Sequence, residues 1–436
     1  MSQNALPPVV PTLSATLPAI LSVNEALDFL RAAAAARPVT GSDIVATLCA
    51  NGRVLGEAQA STIDVPSNDN TQMDGYAVRS GDCAGGQAAL TVSDRIPAGH
   101  VGHYLAPGCA ARIFTGAMIP DGADAVVMQE QCVLNDDGTV TIRHAPQAGE
   151  WIRRAGEDIQ AGAVILAAGT RLRSQELGLA ASVGLAMLPV MRKLRVAVFF
   201  TGDELTMPGE APGGHLAPGA LYNSNRFTLR ALLENLGCIV TDFGIVPDSL
   251  AATRATLRNA ARENDLIITS GGVSVGEEDH IRPAVEAEGR LNLWQIAVKP
   301  GKPLAFGEVR RDGAKDASID GSDAFFLGLP GNPVSSFITF LLFVRPFILR
   351  LQGVVVQPAP RGFTMRADFD WPKADRRNEF LRARINDAGA LELFPNQGSG
   401  VLTSTVWGDG LVDNPPGKRI ARGDSVRFIP FSELMH

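Results

Sequence analysis

The sequence predicts a multidomain α/β protein: a doubly wound domain on a parallel sheet, two small β domains, and a small α/β linking domain. Three observations predict it. At 436 residues the chain is longer than one hydrophobic core organises. From Leu194 onward, near-continuous apolar runs alternate with amphipathic ones, the rhythm of strands buried on both faces between crossover helices. On either side of that region, short β-rich runs are punctuated by Gly, Pro, Asn and Asp.

Taken in order, residues 1–20 are proline-rich and predict a flexible lead-in, without the basic start and apolar core of an export signal. VNEALDFLRAAAAA (23–36) places Ala26, Leu27, Leu30, Ala33 and Ala34 on one helical face. Residues 48–149 predict a small β domain, with strands in AALTVSD (88–94), AARIFTG (110–116), ADAVVMQ (123–129) and TVTIRH (139–144). Residues 21–47 and 150–190 predict a discontinuous linking domain, whose second helix is capped at Ser174 and packs on the helix near residue 25. The core domain, 191–353, has predicted strands at 196–200, 238–246, 266–270 and 325–329 and helices at 223–236, 249–263, 281–289 and 333–352. The insertion 310–324 closes a hairpin between PLAFGEV and FFLGL. Runs such as EFLRARI and SVRFIP predict a second small β domain over 354–436.

Lys and Arg total 39 against 46 Asp and Glu, a formal charge of −7, which gives no footprint for nucleic acid or anionic lipid. Phe337–Leu349, the longest apolar run, is broken by Arg345 and Pro346 and is shorter than the ~20 residues of a membrane span. Five cysteines without a C-x-x-C predict reduced thiols, and His100 and His103 have no third ligand nearby. The expectation is a cytoplasmic enzyme acting on small molecules.

In a doubly wound sheet, ligands bind beyond the carboxyl ends of the strands, so the loops there carry the chemistry. They read Thr201-Gly202-Asp203-Glu204, Pro247-Asp248-Ser249, SGGVSVGEED (270–279) and Pro330-Gly331-Asn332-Pro333. In the glycine loop, Gly271, Gly272, Ser274 and Gly276 let backbone N–H groups approach a phosphate, although a tight turn without a ligand has the same composition. Glu204, Asp248, Glu278 and Asp279 at one edge repel one another, which predicts Mg²⁺ bridging substrate phosphates; taken alone, Asp248 also suits a helix N-cap. Pro333 at a helix start leaves the N–H groups of Val334, Ser335 and Ser336 facing the same edge, a second anion site. Lys299 and Lys302, on a proline-stiffened loop, supply two cations, or a solvated basic turn.

MDGYAVR (73–79), RIFTGAMIP (112–120), GEDI (156–159), FFTGDEL (199–205), SGGVSVGEEDH (270–280), VKPGKPLAFG (298–307) and GLPGNPVSSF (328–337) together resemble the MoeA family of molybdopterin molybdenumtransferases, which includes the E domain of gephyrin. The resemblance implies a MogA/MoaB-like core and a homodimer that cleaves adenylylated molybdopterin with Mg²⁺, releases AMP and places molybdate on the dithiolene. It implies catalytic roles for Asp74, Thr115, Glu204, Asp248 and Asp279, the last three on the metal. Substrate contacts are implied at Asp158, Lys299, Lys302, Pro330 and Pro333, joining Gly271, Gly272, Ser274, Gly276, Gly331 and Asn332 of the loops. It also admits transient contact with a MogA-type adenylyltransferase. Two other readings stay open: a MogA-type adenylyltransferase, which would end after the core domain, and a gephyrin-like scaffold. Arg376, Arg377 and Arg382 in the last domain form a basic cluster that suits an anion contact or, equally, a structural role.

Overall fold

The computed structural model describes residues 20–273, 280–311, 323–355 and 360–435. The expected lead-in therefore lies almost wholly outside the described residues, as do Ser274, Gly276, Glu278 and Asp279 of the glycine loop.

The core is a seven-stranded sheet in the order Ile20–Leu21, Gly289–Ile296, Pro303–Val309, Ala324–Leu329, Leu266–Ser270, Arg195–Thr201, Ile239–Val246. The last four strands are mutually parallel. The parallel order expected from sequence holds for those four strands, but the sheet as a whole is mixed. Pro303–Val309 runs antiparallel to both neighbours, because the short link 297–302 has no room for a crossover helix and can only turn the chain back. The hairpin between Pro303–Val309 and Ala324–Leu329 forms as expected; residues 312–322 of its connection lie outside the described residues. The strand Gly289–Ile296 was missed, and the helix expected to reach 289 ends at Glu288.

The helices are α1 (Val23–Ala36), α2 (Ser174–Ser182), α3 (Ser224–Asn235), α4 (Leu250–Glu263), α5 (Ile281–Glu288), α6 (Pro333–Thr339), α7 (Arg345–Leu351) and the short α8 (Thr403–Trp407). Alternation along one strand shows the double winding. Val196, Val198 and Phe200 join a cluster with α1, α3, α6 and α7, whereas Ala197 and Phe199 join one with α4 and α5. A π-helical stretch, Phe340–Val344, joins α6 to α7 into one apolar helix, 89% buried over its most apolar stretch, which is the position of a core helix.

α1 does not pack on α2. Its buried Ala26, Leu30 and Ala34 belong to the core cluster, and α1 lies on α7. α2 buries Ala180 with Leu55, Leu172 and Leu188 in a separate cluster, beside a ribbon of Ser42–Ala46 and Met187–Met191. Its cap position is Arg173, one residue before the Ser174 expected, and the Glu176 carboxylate accepts the Arg173 backbone N–H at 2.8 Å. The first β domain is a six-stranded sheet that contains Gly75–Val78, a fully buried strand outside the four runs predicted there. In the last domain, Val298–Lys299 of the core pairs in parallel with Asn378–Glu379, so the two regions share a sheet.

Candidate functional site

The four loops open on one edge, and the structure brings most of their predicted residues to one cleft of about 650 Å³. Glu204, Asp248, Gly271, Gly272, Pro330, Gly331, Asn332, Lys299 and Lys302 line it. Pro333 lines an adjoining compartment of about 570 Å³ that shares Thr201, Glu204, Gly271, Gly331 and Asn332.

The acidic wall rests on close backbone approach. Gly202 has φ +142°, and a Cβ there would lie 2.6 Å from Glu204 Oε2, so the carboxylate folds over its own turn only because residue 202 is glycine. Gly271, at φ +101°, sits so near the end of Arg195–Thr201 that a Cβ would meet the Thr201 carbonyl at 2.7 Å. Asp248 is not the cap of α4. Ser249 is, accepting the Ala252 N–H at 3.3 Å, which leaves the Asp248 carboxylate for the cleft. Neither Glu204 nor Asp248 makes an ion pair among the described residues. Two hard oxygen donors without a counterion suit Mg²⁺, which takes one or two carboxylates and completes its shell with waters and phosphate oxygens. Among the described residues no group of three such side chains holds a metal by itself.

The second anion site is partly taken up by the protein. The N–H of Val334 donates to the Ser399 carbonyl of the last domain at 2.9 Å and that of Ser336 to the Asn332 carbonyl at 2.9 Å, while Ser335 lines the cleft. The two lysines also differ. Lys299 Nζ is 3.0 Å from Glu379 and 3.3 Å from Asp375, whereas Lys302 is exposed and makes no ion pair among the described residues. Glu379 is 1% exposed and also accepts from Trp371 Nε1 and Asn414 Nδ2.

The last domain completes the basic wall with a segment that the sequence does not point to, 397–399. Arg377, Gln397, Gly398 and Ser399 line the cleft. Arg377 makes a two-pronged pair with Asp375, and this guanidinium, together with the Lys299 ammonium, pulls the Asp375 pKa far below the usual carboxylate range. Arg376 lines a space on the other side of Lys302 and Arg377. No local signal in NQGSG (396–400) exceeds that of a turn.

Three predicted residues lie elsewhere. Asp158 is exposed, with its N–H on the Val65 carbonyl, in the linking region. Asp74 and Thr115 form a unit in the first β domain: the Asp74 carboxylate accepts from the Thr115 hydroxyl at 2.6 Å and N–H at 2.8 Å. Those bonds, and the charge of Arg112, hold the Asp74 pKa below its ordinary value. His103 rests its Nδ1 3.1 Å from Asp94, an exposed pair with no metal geometry.

Three family models match in succession: the MoeA N-terminal region (domain I and II) over residues 21–184, a probable molybdopterin binding domain over 197–350, and the MoeA C-terminal region (domain IV) over 364–431. A molybdopterin molybdenumtransferase of Haemophilus influenzae is 41% identical, over 88% of this chain and 93% of that one. One from a Nostoc species is 35% identical over 89% and 88%. A gephyrin of Dictyostelium discoideum is 33% identical over 69% of this chain and 46% of its own. The crystal structure of a molybdopterin biosynthesis MoeA protein from Pyrococcus horikoshii superposes with a TM-score of 0.78 at 26% identity, covering 94% of this chain and 100% of that one.

Proposed function

This chain belongs to the MoeA family of molybdopterin molybdenumtransferases, and from that membership and the cleft we propose that it transfers molybdate onto molybdopterin, consuming adenylylated molybdopterin and releasing AMP. The observation that carries the reading is that one cleft joins an acidic wall from the core to a basic wall from the last domain. Molybdate is a tetrahedral dianion, and Lys302, Arg377 and Ser399 offer it cations and a hydroxyl at close quarters. The phosphate-bearing part of the substrate lies along Gly271, Gly272 and the Pro330–Asn332 turn, where backbone approaches the cleft without side chains in the way.

Glu204 and Asp248, with Asp279 from the part of the loop outside the described residues, would hold Mg²⁺, which would supply charge neutralisation at the phosphate that leaves with AMP. A MogA-type adenylyltransferase would end after the core domain, whereas MoeA-type regions match this chain on both sides of it. The working unit is a homodimer in which Asp74 and Thr115 of one chain face the acidic wall of the other, since neither reaches the cleft of its own chain among its lining residues.

Purified full-length protein is incubated with adenylylated molybdopterin, Mg²⁺ and molybdate, and AMP is measured. Molybdate-dependent release is expected. Absence of release overturns the proposal, and net synthesis of adenylylated molybdopterin from ATP and molybdopterin assigns the adenylyltransferase activity instead.

A further inference from the structure

Arg382 is 1% exposed and is among the largest fully buried side chains in the protein. It makes no ion pair among the described residues. Burial lowers its pKa to about 10, far above neutral pH, so a full charge sits inside the last domain without a counterion. Stability does not account for it, because a well-packed apolar side chain fills such a place at lower desolvation cost.

Its contacts converge on one segment. Nε donates to Ser404 Oγ at 3.0 Å, and Nη2 to the Gly398 carbonyl at 3.1 Å. The backbone N–H of Arg382 donates to Gln397 Oε1 at 2.9 Å, and its carbonyl accepts from Gln397 Nε2 at 3.0 Å. Gln397, Gly398 and Ser399 are the part of the cleft wall that the last domain supplies beyond Arg377, and Ser399 also accepts the first N–H of α6.

The peptide joining Gly398 to Ser399 is trans, so its carbonyl and N–H point in opposite directions. With the carbonyl tied to Arg382, the Ser399 N–H is turned away from Arg382, and it has no hydrogen-bond partner among the described residues. A cation bonded to the carbonyl polarises the same amide and makes that N–H a stronger donor. We infer that Arg382 is a positioning residue of the site: it fixes segment 397–399 as a wall and orients the Gly398–Ser399 amide to donate to an oxyanion in the cleft.

The identity of the oxyanion as molybdate rests on the function proposed above; the positioning does not. The test therefore has two arms on Arg382→Met in the full-length chain. In the first, hydrogen exchange of segment 397–404 and of the Val334 amide is compared with wild type, and at least tenfold faster exchange is expected at unchanged or raised Tm. In the second, equilibrium dialysis with molybdate is expected to give about tenfold weaker binding, with Arg382→Lys, which keeps the charge but not the planar fork, recovering part of the affinity and none of the exchange protection. Unchanged exchange in folded Arg382→Met overturns the inference. If that variant unfolds, the same exchange comparison on Arg382→Lys decides. Wild type that fails to bind molybdate refutes the assignment of the oxyanion, while the exchange arm still judges Arg382.

Discussion

The two walls of the cleft are built on opposite plans. On the core side, Glu204 and Asp248 are carboxylates without ion pairs among the described residues, presented by loops that follow parallel strands and leaning on glycines. On the other side, the cations are braced: Lys299 to Glu379 and Asp375, Arg377 to Asp375, Arg382 to backbone and hydroxyl groups, with Lys302 the exception among those lining the cleft. An unpaired acidic wall is electrostatically unfavourable until a cation arrives. A braced basic wall is already organised, and its cost was met when the last domain docked on the core. The first wall is thus expected to trade activity against repulsion, and the second to trade affinity against stability.

Glu204→Gln and Asp248→Asn are the sharpest way to break that contrast. Each removes a proposed metal ligand and a repulsive charge together, so turnover is expected to fall about 100-fold or more, while Tm stays level or rises. A variant that loses stability in step with activity would show that the acidic wall is structural after all. A second effect of comparable size concerns the remote pair. If the proposed dimer holds, Asp74→Asn and Asp248→Asn homodimers are each nearly inactive, but a heterodimer of the two has one site with both lesions and one with neither, and recovers up to half the wild-type rate. Tag-separated heterodimers no more active than either parent would place both residues at the same chain's site.

The walls also differ in how far they could be read from sequence. Loops after parallel strands converge by a rule of topology, so Glu204, Asp248, Gly271 and Gly331 could be grouped although they are separated along the chain. Nothing comparable announces that Val298–Lys299 leaves the core to pair with Asn378–Glu379, because that ladder depends on docking between regions, and the prolines around Lys299 read as a loop. Once that pairing is known, the buried Glu379 explains why Lys299 is engaged. The N–H of Val334 at the start of α6 is engaged for the same reason: helix geometry leaves it unpaired within the helix, and only the docked last domain supplies the Ser399 carbonyl. Gly75–Val78 was hidden by its Asp-Gly start, although its apolar remainder suits a central strand.

Lys302 and Lys299 test the basic wall from within. Lys302→Ala removes an exposed cation, so molybdate binding weakens about tenfold and stability changes by less than about 0.5 kcal/mol. Lys299→Ala leaves Glu379 buried with hydrogen-bond donors but without the cation it pairs with directly. Its main effect is a loss of about 2 to 3 kcal/mol in unfolding free energy, measured by denaturant titration. The reverse pattern, with Lys299 governing affinity and Lys302 stability, would exchange the roles assigned to them.

The smallest effect is the most specific to bracing. Asp375 is bonded to Arg377 and paired with Lys299, and its pKa is held far below the usual range. A carboxylate whose pKa falls on folding stabilises the native chain above its unfolded value of about 4, and that contribution drains away as pH falls toward the depressed native value. Asp375→Asn is therefore expected to lower stability by about 1 kcal/mol at neutral pH, since the pair is only partly buried. The difference from wild type should hold constant down to about pH 5 and shrink below about pH 4, where the unfolded wild-type chain takes up a proton that the native one resists. Thermal melts of both proteins across that range measure it. A gap that persists undiminished at pH 3 would mean that Asp375 acts through its hydrogen bonds rather than its charge, and the basic wall would then be braced by geometry alone.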